Sequence, residues 1–596
     1  MWFAGLLASV GVLVLVAVLS VVFNGIQFGK KHSFSPFHVM FAGVFVATVL
    51  MFYPINMDSA EGNVWGAWRA FLVSVFHAMQ VFTIGCDFEV VKDGLTGCPA
   101  EVMTAYSVWA AMLYVIAPVF TFGFVLSLFK NLSAYLKYLA TYFREIYIFS
   151  ELNEKSLTLA NDLKKSHRKA VFVFTDVFGD NEESTCEMIN EAKKLGAICF
   201  EKDILAVDFR KHSSGTPIYF FTIGKDDTEN VNQSLKLIET FRNRENTHVY
   251  IFSTSVASEL LLTSVDKGAV KVRRINEVQS LVNRVLYEQG GLLFDSAREA
   301  ADGRKRICAA VVGLGNYGTE MLKALTWFGQ MDGYKLELHA FDKDPLAEEK
   351  FTALAPELMS DDYNGADVEG EAQYQITVHS GIDVDTITFA NEISKITDTT
   401  YVVVALGDDD INIQTAVSLR MYFERKKIHP VIQAIVYNSQ KRMALEGIEN
   451  YRKQPYDIGF IGDLESFYTA AVIIDSELEE DALRRHMKWG KEEEFWTYQY
   501  NYRSSMASAI HMRARIHCGI PGADKKEEEL TIEEQKIIEV LEHRRWNAYM
   551  RAEGYVYSGS NDKSSRNDLG KMHHDLVNFE SLTDEEKRKD SKVGTK

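Results

Sequence analysis

Beyond residue 130 the sequence has almost no long apolar run, so any membrane-spanning part is confined to the N-terminal region and the rest reads as soluble α/β sequence. Positive charge is scarce too. Against 82 Asp and Glu stand 64 Lys and Arg, a net charge of −18 carried mostly by the soluble part. That balance argues against a nucleic-acid partner held by phosphate neutralisation, while a small anion bound locally remains compatible with it. Metal-ligand spacing is missing: Cys186, Cys199, Cys308 and Cys518 read as buried reduced thiols, and no metal cluster is expected. A dehydrogenase needs a proton donor beside its nicotinamide, yet no Tyr-x-x-x-Lys or similar pair follows the glycine-rich segment. His511 and His517 share one predicted helix with no partner in view, so catalysis is the minor reading and no catalytic residue is assigned. At about 150 residues per domain, the length implies three to four domains.

What is present begins with four apolar segments. Residues 1–24 are uncharged and long enough for the ~30 Å hydrocarbon core. They lack the basic n-region of a signal peptide, and a retained anchor is expected. Residues 37–53 lie near the lower limit of a span. Residues 105–129 are ample and carry Pro118 and Gly123, either a hinge or the ordinary frequency of these residues in membrane helices. The segment 64–85 differs, because Arg69, His77 and Gln80 leave it only a short apolar centre.

Basic residues orient these segments. Lys30 and Lys31 follow the first, Asp58 and Glu61 separate the second and third, and Lys130, Lys137 and Arg144 follow the last. The large C-terminal part is then cytoplasmic. With the Lys30–Lys31 loop also inside, the N-terminus is outside, three spans suffice, and residues 64–85 enter and leave on the outer face. Irregular backbone at that depth requires surrounding protein or a water-filled cavity. The alternative is a plain four-span bundle with its N-terminus inside. Both place residues 86–104 outside, where Cys86 and Cys98 are a disulfide candidate in an oxidising bacterial envelope.

Helix, pore loop, helix resembles a potassium-channel pore. Thr83, Ile84 and Gly85 stand where a T-V-G-Y-G filter begins, and Cys86 and Asp87 replace its aromatic residue and second glycine. Stacked filter carbonyls need glycine's backbone freedom, so the departure weakens any expectation of potassium selectivity.

The soluble part repeats itself. "REIYIFSELNEKSLTLANDL" (144–163) parallels "ICAAVVGLGNYGTEMLKALTW" (307–327), each an apolar strand, a turn and an amphipathic helix. "PIYFFTIGKDDTENVNQSLKL" (217–237) parallels "TYVVVALGDDDINIQTAVSLR" (400–420) more closely. Short apolar strands alternating with helices imply parallel sheets, hence two doubly wound domains in tandem. Only the second copy carries the phosphate fingerprint, Gly313-x-Gly315-x-x-Gly318, with Asn316 opening its helix and Asp342 ending the next strand. The glycines allow a tight turn, approach of a pyrophosphate and close helix packing, and the acid suits ribose hydroxyls. A structural glycine turn in an empty fold is the other reading. The first copy has Ser150, Leu152 and Lys155 near the glycine positions and is expected to serve as an assembly surface.

Membrane segments followed by paired Rossmann units resemble the RCK (TrkA-N) domains, over roughly residues 144–470, and "ALGDDDINI" (405–413) looks like that family's strand-four loop. The resemblance implies gating rings built by homo-oligomerisation, a tetramer first among them, with NAD(H) or another adenine nucleotide as cofactor. It draws in Gly407 and Asp408 beside the fingerprint, and makes 131–143 the coupling element. Further on, Glu542-His543-x-x-Trp546, Gly554-Tyr555, Lys571-x-His573, Leu576, Phe579 and Leu582 match the RyR (ryanodine receptor-like) domain over about residues 535–590. That resemblance implies recognition of a nucleotide-derived messenger by Arg545, Trp546, Lys571 and His573, with Arg503 and Ser504 from the preceding helix. Core packing is the competing reading for Trp546, and His543 reads as structural.

The expected chain is multi-domain: an α-helical transmembrane region (1–130), a coupling helix (131–143), two doubly wound Rossmann/RCK-like domains (144–300 and 301–470), a helical connector (471–524) and a small, mainly α RyR domain (525–596). It is expected in the bacterial inner membrane, as a ligand-gated channel or a pore-forming effector of anti-phage defence. A housekeeping cation channel regulated by NAD(H), a membrane-tethered NAD-dependent enzyme and a non-conducting receptor are the alternatives.

Overall fold

The computed structural model describes residues 2–26, 36–58, 64–128, 131–177, 183–359 and 374–595. It divides into two units, residues 1–139 and 140–596. Lys30, Lys31, Glu61 and Lys130 lie outside the described residues.

The first unit is helical: α1 Trp2–Ile26, α2 Pro36–Asp58, α3 Val64–Phe82, the short α4 Glu89–Gly94, α5 Ala100–Leu128 and α6 Leu132–Leu139. Among the described residues, Val39–Met57 of α2 and Ala100–Phe122 of α5 are long and apolar enough to cross a membrane, whereas the described apolar stretch of α1, Trp2–Val18, is shorter.

Contacts fix the directions. The Gly5 backbone lies against Pro54 and that of Gly43 against Val16, while Ser9 donates to the Ala47 carbonyl at 2.7 Å; α1 and α2 are therefore antiparallel. Asn56 donates to Ser74 at 2.9 Å, Phe52 meets His77, and Phe41 and Phe45 meet Phe82, so α3 is also antiparallel to α2. Tyr106 donates to the Met51 carbonyl and Trp109 to Ser9 at 2.9 Å, which runs α5 the same way as α3. Two helices joined by residues 83–99 thus share one direction against α2, and the chain between them must double back. It does: Gly94 of α4 packs against Ile55, at the end of α2 where α3 began.

The sequence supplies the reason for the turn. Gly85 N–H closes on the Gln80 carbonyl at 2.7 Å, and Thr83 bonds back to Met79 and Gln80 carbonyls, ending the helix. Ile84, not Gly85, takes the left-handed backbone (φ 61°). Thr83, Ile84 and Gly85 are all exposed in the single chain. No disulfide joins Cys86 to Cys98, unlike the pairing expected; Cys86 Sγ accepts from the Tyr114 hydroxyl at 3.1 Å. Large apolar side chains line the outer faces at helical spacing, Trp65, Trp68, Leu72 and Phe76 on α3 and Val108, Val115, Val119 and Phe122 on α5.

The second unit contains two parallel sheets of the same winding. One has the order β3-β2-β1-β4-β5-β6, from β1 Ile146–Phe149, β2 Val171–Phe174, β3 Ile198–Cys199, β4 Ile218–Thr222, β5 Thr247–Phe252 and β6 Lys271–Ile275. The other repeats it as β10-β9-β8-β11-β12-β13, from β8 Lys305–Val312, β9 Tyr334–Asp342, β10 Tyr374–Ser380, β11 Tyr401–Val404, β12 Val431–Ile435 and β13 Ile458–Ile461, with β7 Arg298–Glu299 pairing antiparallel to β8. Their central strands are buried on both faces, as continuous apolar runs require.

The two halves cross-pack reciprocally. The helix Glu154–Ser166 after β1 lies against the short helices after β13, and Asp162 accepts from the Ala470 N–H at 2.9 Å. The helix Asn316–Phe328 after β8 lies against Glu277–Gln289 after β6. One buried cluster runs through both sheets. It continues into the C-terminal helices Glu477–His486, Gln499–His517, Ile532–Ala552 and Asp584–Gly594, with the small pair β14 Val556–Tyr557 and β15 Met572–His573. Ile532–Ala552 is seated on the fingerprint helix through Trp327 and Tyr549, and Arg551 pairs with Glu357.

Candidate ligand sites

The fingerprint forms a real notch at the carboxyl ends of β8, β9 and β11. Gly313 turns at φ 95°, and a side chain there would strike the Ala405 carbonyl. A side chain on Gly318 would sit 1.8 Å from the Gly313 carbonyl, so only glycine lets the helix start against the strand. Gly315 faces open space and caps the helix without a side-chain hydrogen bond. Its first N–H groups are therefore turned toward a cavity of about 520 Å³, lined by Gly313, Gly315, Asn316, Asp342 and Gly407. A second hollow of about 400 Å³ shares Gly315, Asn316 and Asp342. Asp342 accepts from the Leu314 N–H at 2.6 Å and the Asp344 N–H at 2.8 Å, which aims its carboxylate across the notch and leaves lone pairs for hydroxyl donors.

Two expected contacts fall outside the lining. Gly318 sits behind the notch as a packing residue, and Asp408 caps Asp409–Lys426, accepting from the Asp410 and Ile411 N–H groups. Sequence reading missed Asn276, Val278 and Thr254, which reach these hollows from the first sheet through the cross-packing.

In the first copy the equivalent place is filled by its own side chains. Asn153 caps the helix, accepting from Ser156 N–H at 2.9 Å, and donates to the Ile223 carbonyl. Ser150 accepts from Ile223 N–H, Glu151 from Lys225 N–H, and Lys155 pairs with Glu277 at 2.6 Å.

A third cavity, about 470 Å³, lies among the C-terminal helices. Ser504, Arg545, Trp546 and His573 line it, as do Arg485 and Tyr500, which sequence reading did not single out. Two expected contacts point elsewhere. Arg503 turns into ion pairs with Glu259 and Glu553 at 3.1 and 3.0 Å, and Lys571, at φ 49°, donates to the Glu553 carbonyl. Arg503 precedes Ser504 by one residue, a rotation of about 100° on a helix, which separates their faces. Glu542 accepts both Nε and Nη2 of Arg545, at 3.2 and 2.8 Å, and also Arg515. Burial raises the Glu542 carboxyl, yet Arg545 and Arg515 hold it down to about 2. His573 is pushed down to about 3 by burial and by Arg566, and is neutral at pH 7.

Two groups of three metal-capable donors occur among the described residues: Cys308, Glu337 and His339, and His573, His574 and Asp575. Glu337 is already shared by Arg306 and His339, and His573 Nδ1 accepts the Asp575 N–H, so no metal is assigned to either. No protein-family model matches the chain, and no curated protein matches it.

Proposed function

We propose that the chain is a ligand-gated membrane channel or pore-forming effector whose two Rossmann units and C-terminal module sense a nucleotide-derived small molecule. The observation that carries this reading is the doubling back of residues 83–99. Because α3 and α5 run the same way against α2, a membrane crossed by α2 and α5 receives α3 as a re-entrant helix reaching Phe41 and Phe45 of α2, with Thr83-Ile84-Gly85 exposed at its tip. A plain four-span bundle needs α3 and α5 to be opposed. The apolar outer faces of α3 and α5 fit lipid or further copies of the chain, and a homotetramer surrounding the tips makes one passage. By the distribution of basic residues this part sits in a bacterial inner membrane with the α/β unit in the cytoplasm.

The open fingerprint supports NAD(H) or another adenine nucleotide as a ligand of the second sheet, consistent with the RCK resemblance. A ligand changes the pore only through unequal affinity for the closed and open states, and a few kcal/mol per subunit, multiplied over an oligomer, suffices. The RyR resemblance favours a defence effector over housekeeping ion transport. Ion release from proteoliposomes, measured with NAD⁺, NADH, ADP and ATP, tests the reading. Release triggered by one of them supports it, whereas turnover of NAD(H) without ion release converts the protein into a tethered enzyme.

A further inference from the structure

The cavity among the C-terminal helices has an imbalance of charge at its deep end. Arg485, Arg515 and Arg545 are all almost fully buried; Glu542 pairs with Arg515 and Arg545, whereas Arg485 donates to Ser508 and to the Val593 and Thr595 carbonyls. The other acids around the cavity have their own partners: Glu586 holds Lys563 and Lys589 at 2.9 and 2.7 Å, Asp590 holds His543 at 3.3 Å, and Asp575 lies 3.4 Å from His574. Among the described residues, three buried guanidiniums therefore stand together with one carboxylate that pairs with two of them, an arrangement a further anion would relieve. The Arg545 side chain is 1% exposed, and its Nη1 has no hydrogen-bond partner. Burial, with Arg515 and Arg545 alongside, pulls Arg485 down to about 9.

The walls above this end are aromatic. Trp546 and Tyr500 line the cavity, and the Arg566 guanidinium lies 5.9 Å over the Tyr500 ring at its rim. Ser504, Ser505 and Ser508 supply neutral hydrogen-bonding groups from one helix.

We propose that this cavity is a nucleotide site in which a phosphate or pyrophosphate group is held by Arg545 and Arg485 and the base packs on Trp546 and Tyr500. The inference rests on reading the C-terminal module as a sensor, and names the ligand's chemistry: a compact anion of at least two charges joined to a flat ring. A phosphate accepts the unused Arg545 donor and neutralises the surplus, and the ring displaces water from apolar walls. The site is separate from the fingerprint, so the two can hold different ligands.

The test uses the full chain in detergent, with thermal unfolding followed in the presence of millimolar inorganic pyrophosphate or ADP. Both raise the midpoint, ADP by the larger amount, about 3 °C or more. Arg566→Ala, at the rim and paired with the exposed Asp568, folds normally and, by removing the cation over Tyr500, loses most of the ADP shift. Arg545→Gln loses the shift from both probes. Gly315→Asp, which blocks the fingerprint, leaves the pyrophosphate shift intact. The proposal is overturned by an unshifted wild type, or by a shift that survives Arg566→Ala and Arg545→Gln but vanishes in Gly315→Asp. Equal shifts from pyrophosphate and ADP overturn the aromatic half. Ligand binding without conductance refutes the channel and leaves this site standing.

Discussion

The two parallel α/β copies share strand order and cross-pack as near equivalents, yet one is closed where the other is open. At the turn after β1, Asn153 satisfies the helix N-terminus, Ser150 takes the Ile223 N–H, and Lys155 is tied to Glu277. At the turn after β8, Gly315 supplies no cap and nothing lies within 4 Å of where its side chain would be. A capped helix end gains roughly 1 kcal/mol of stability. The second copy forgoes that contribution, and an uncapped, solvent-open helix end is what an anion requires. Equal folds thus present unequal helix ends, decided by a few turn residues.

The largest effect is expected at Gly318. Gly318→Ala places a methyl against the Gly313 carbonyl, and the second sheet loses about 3 kcal/mol or more of stability, read as a lowered denaturation midpoint. Gly315→Asp makes the second copy resemble the first. Its carboxylate caps the helix and occupies the anion's place, so folding is kept while any dinucleotide retained on purification, detected by mass spectrometry, is lost. Undiminished retention moves that ligand to another site. Asn153→Ala removes only the cap of the first copy, lowering stability by about 1 kcal/mol with retention unchanged.

The smallest effect is a pH slope. In the first sheet His248 is pushed down to about 4 by burial and by Lys271 and Arg273, below its unfolded value near 6.5. Between these values the unfolded chain binds a proton that the folded chain refuses, so this contribution to stability is present above about pH 6.5 and is lost as pH falls toward 4. His248→Gln should flatten the fall of the melting temperature over that window. The neutral His573 of the C-terminal cavity adds a second component of the same sign, extending toward pH 3.

Much of this was legible beforehand. Apolar tetrads such as Ile146–Phe149 and Tyr401–Val404 announce buried parallel strands, and the fingerprint glycines announce the notch. Direction is harder to read than position. Lys571 sits inside the RyR-like region and Arg503 on the helix before it, but a left-handed turn and a helical rotation aim them away from the cavity. Residues brought by another domain, such as Asn276 and Val278, leave no local signal. Arg485 did leave one: with Leu478 and Ala482 it falls at helical spacing on the buried face of a short helix. In the N-terminal helical unit, composition balanced two topologies, and the pairwise contacts with α2 favour the one in which the chain doubles back.

Those contacts make the central claim that residues 64 and 96 flank a segment that enters and leaves on one side. Val64→Cys and Thr96→Cys, each with Cys86 and Cys98 replaced by serine, are to be treated in sealed, right-side-out vesicles with a membrane-impermeant thiol reagent. The account predicts that both positions label from the outer face. Labelling of Thr96→Cys from outside and of Val64→Cys only after the membrane is opened would establish four spans and contradict it.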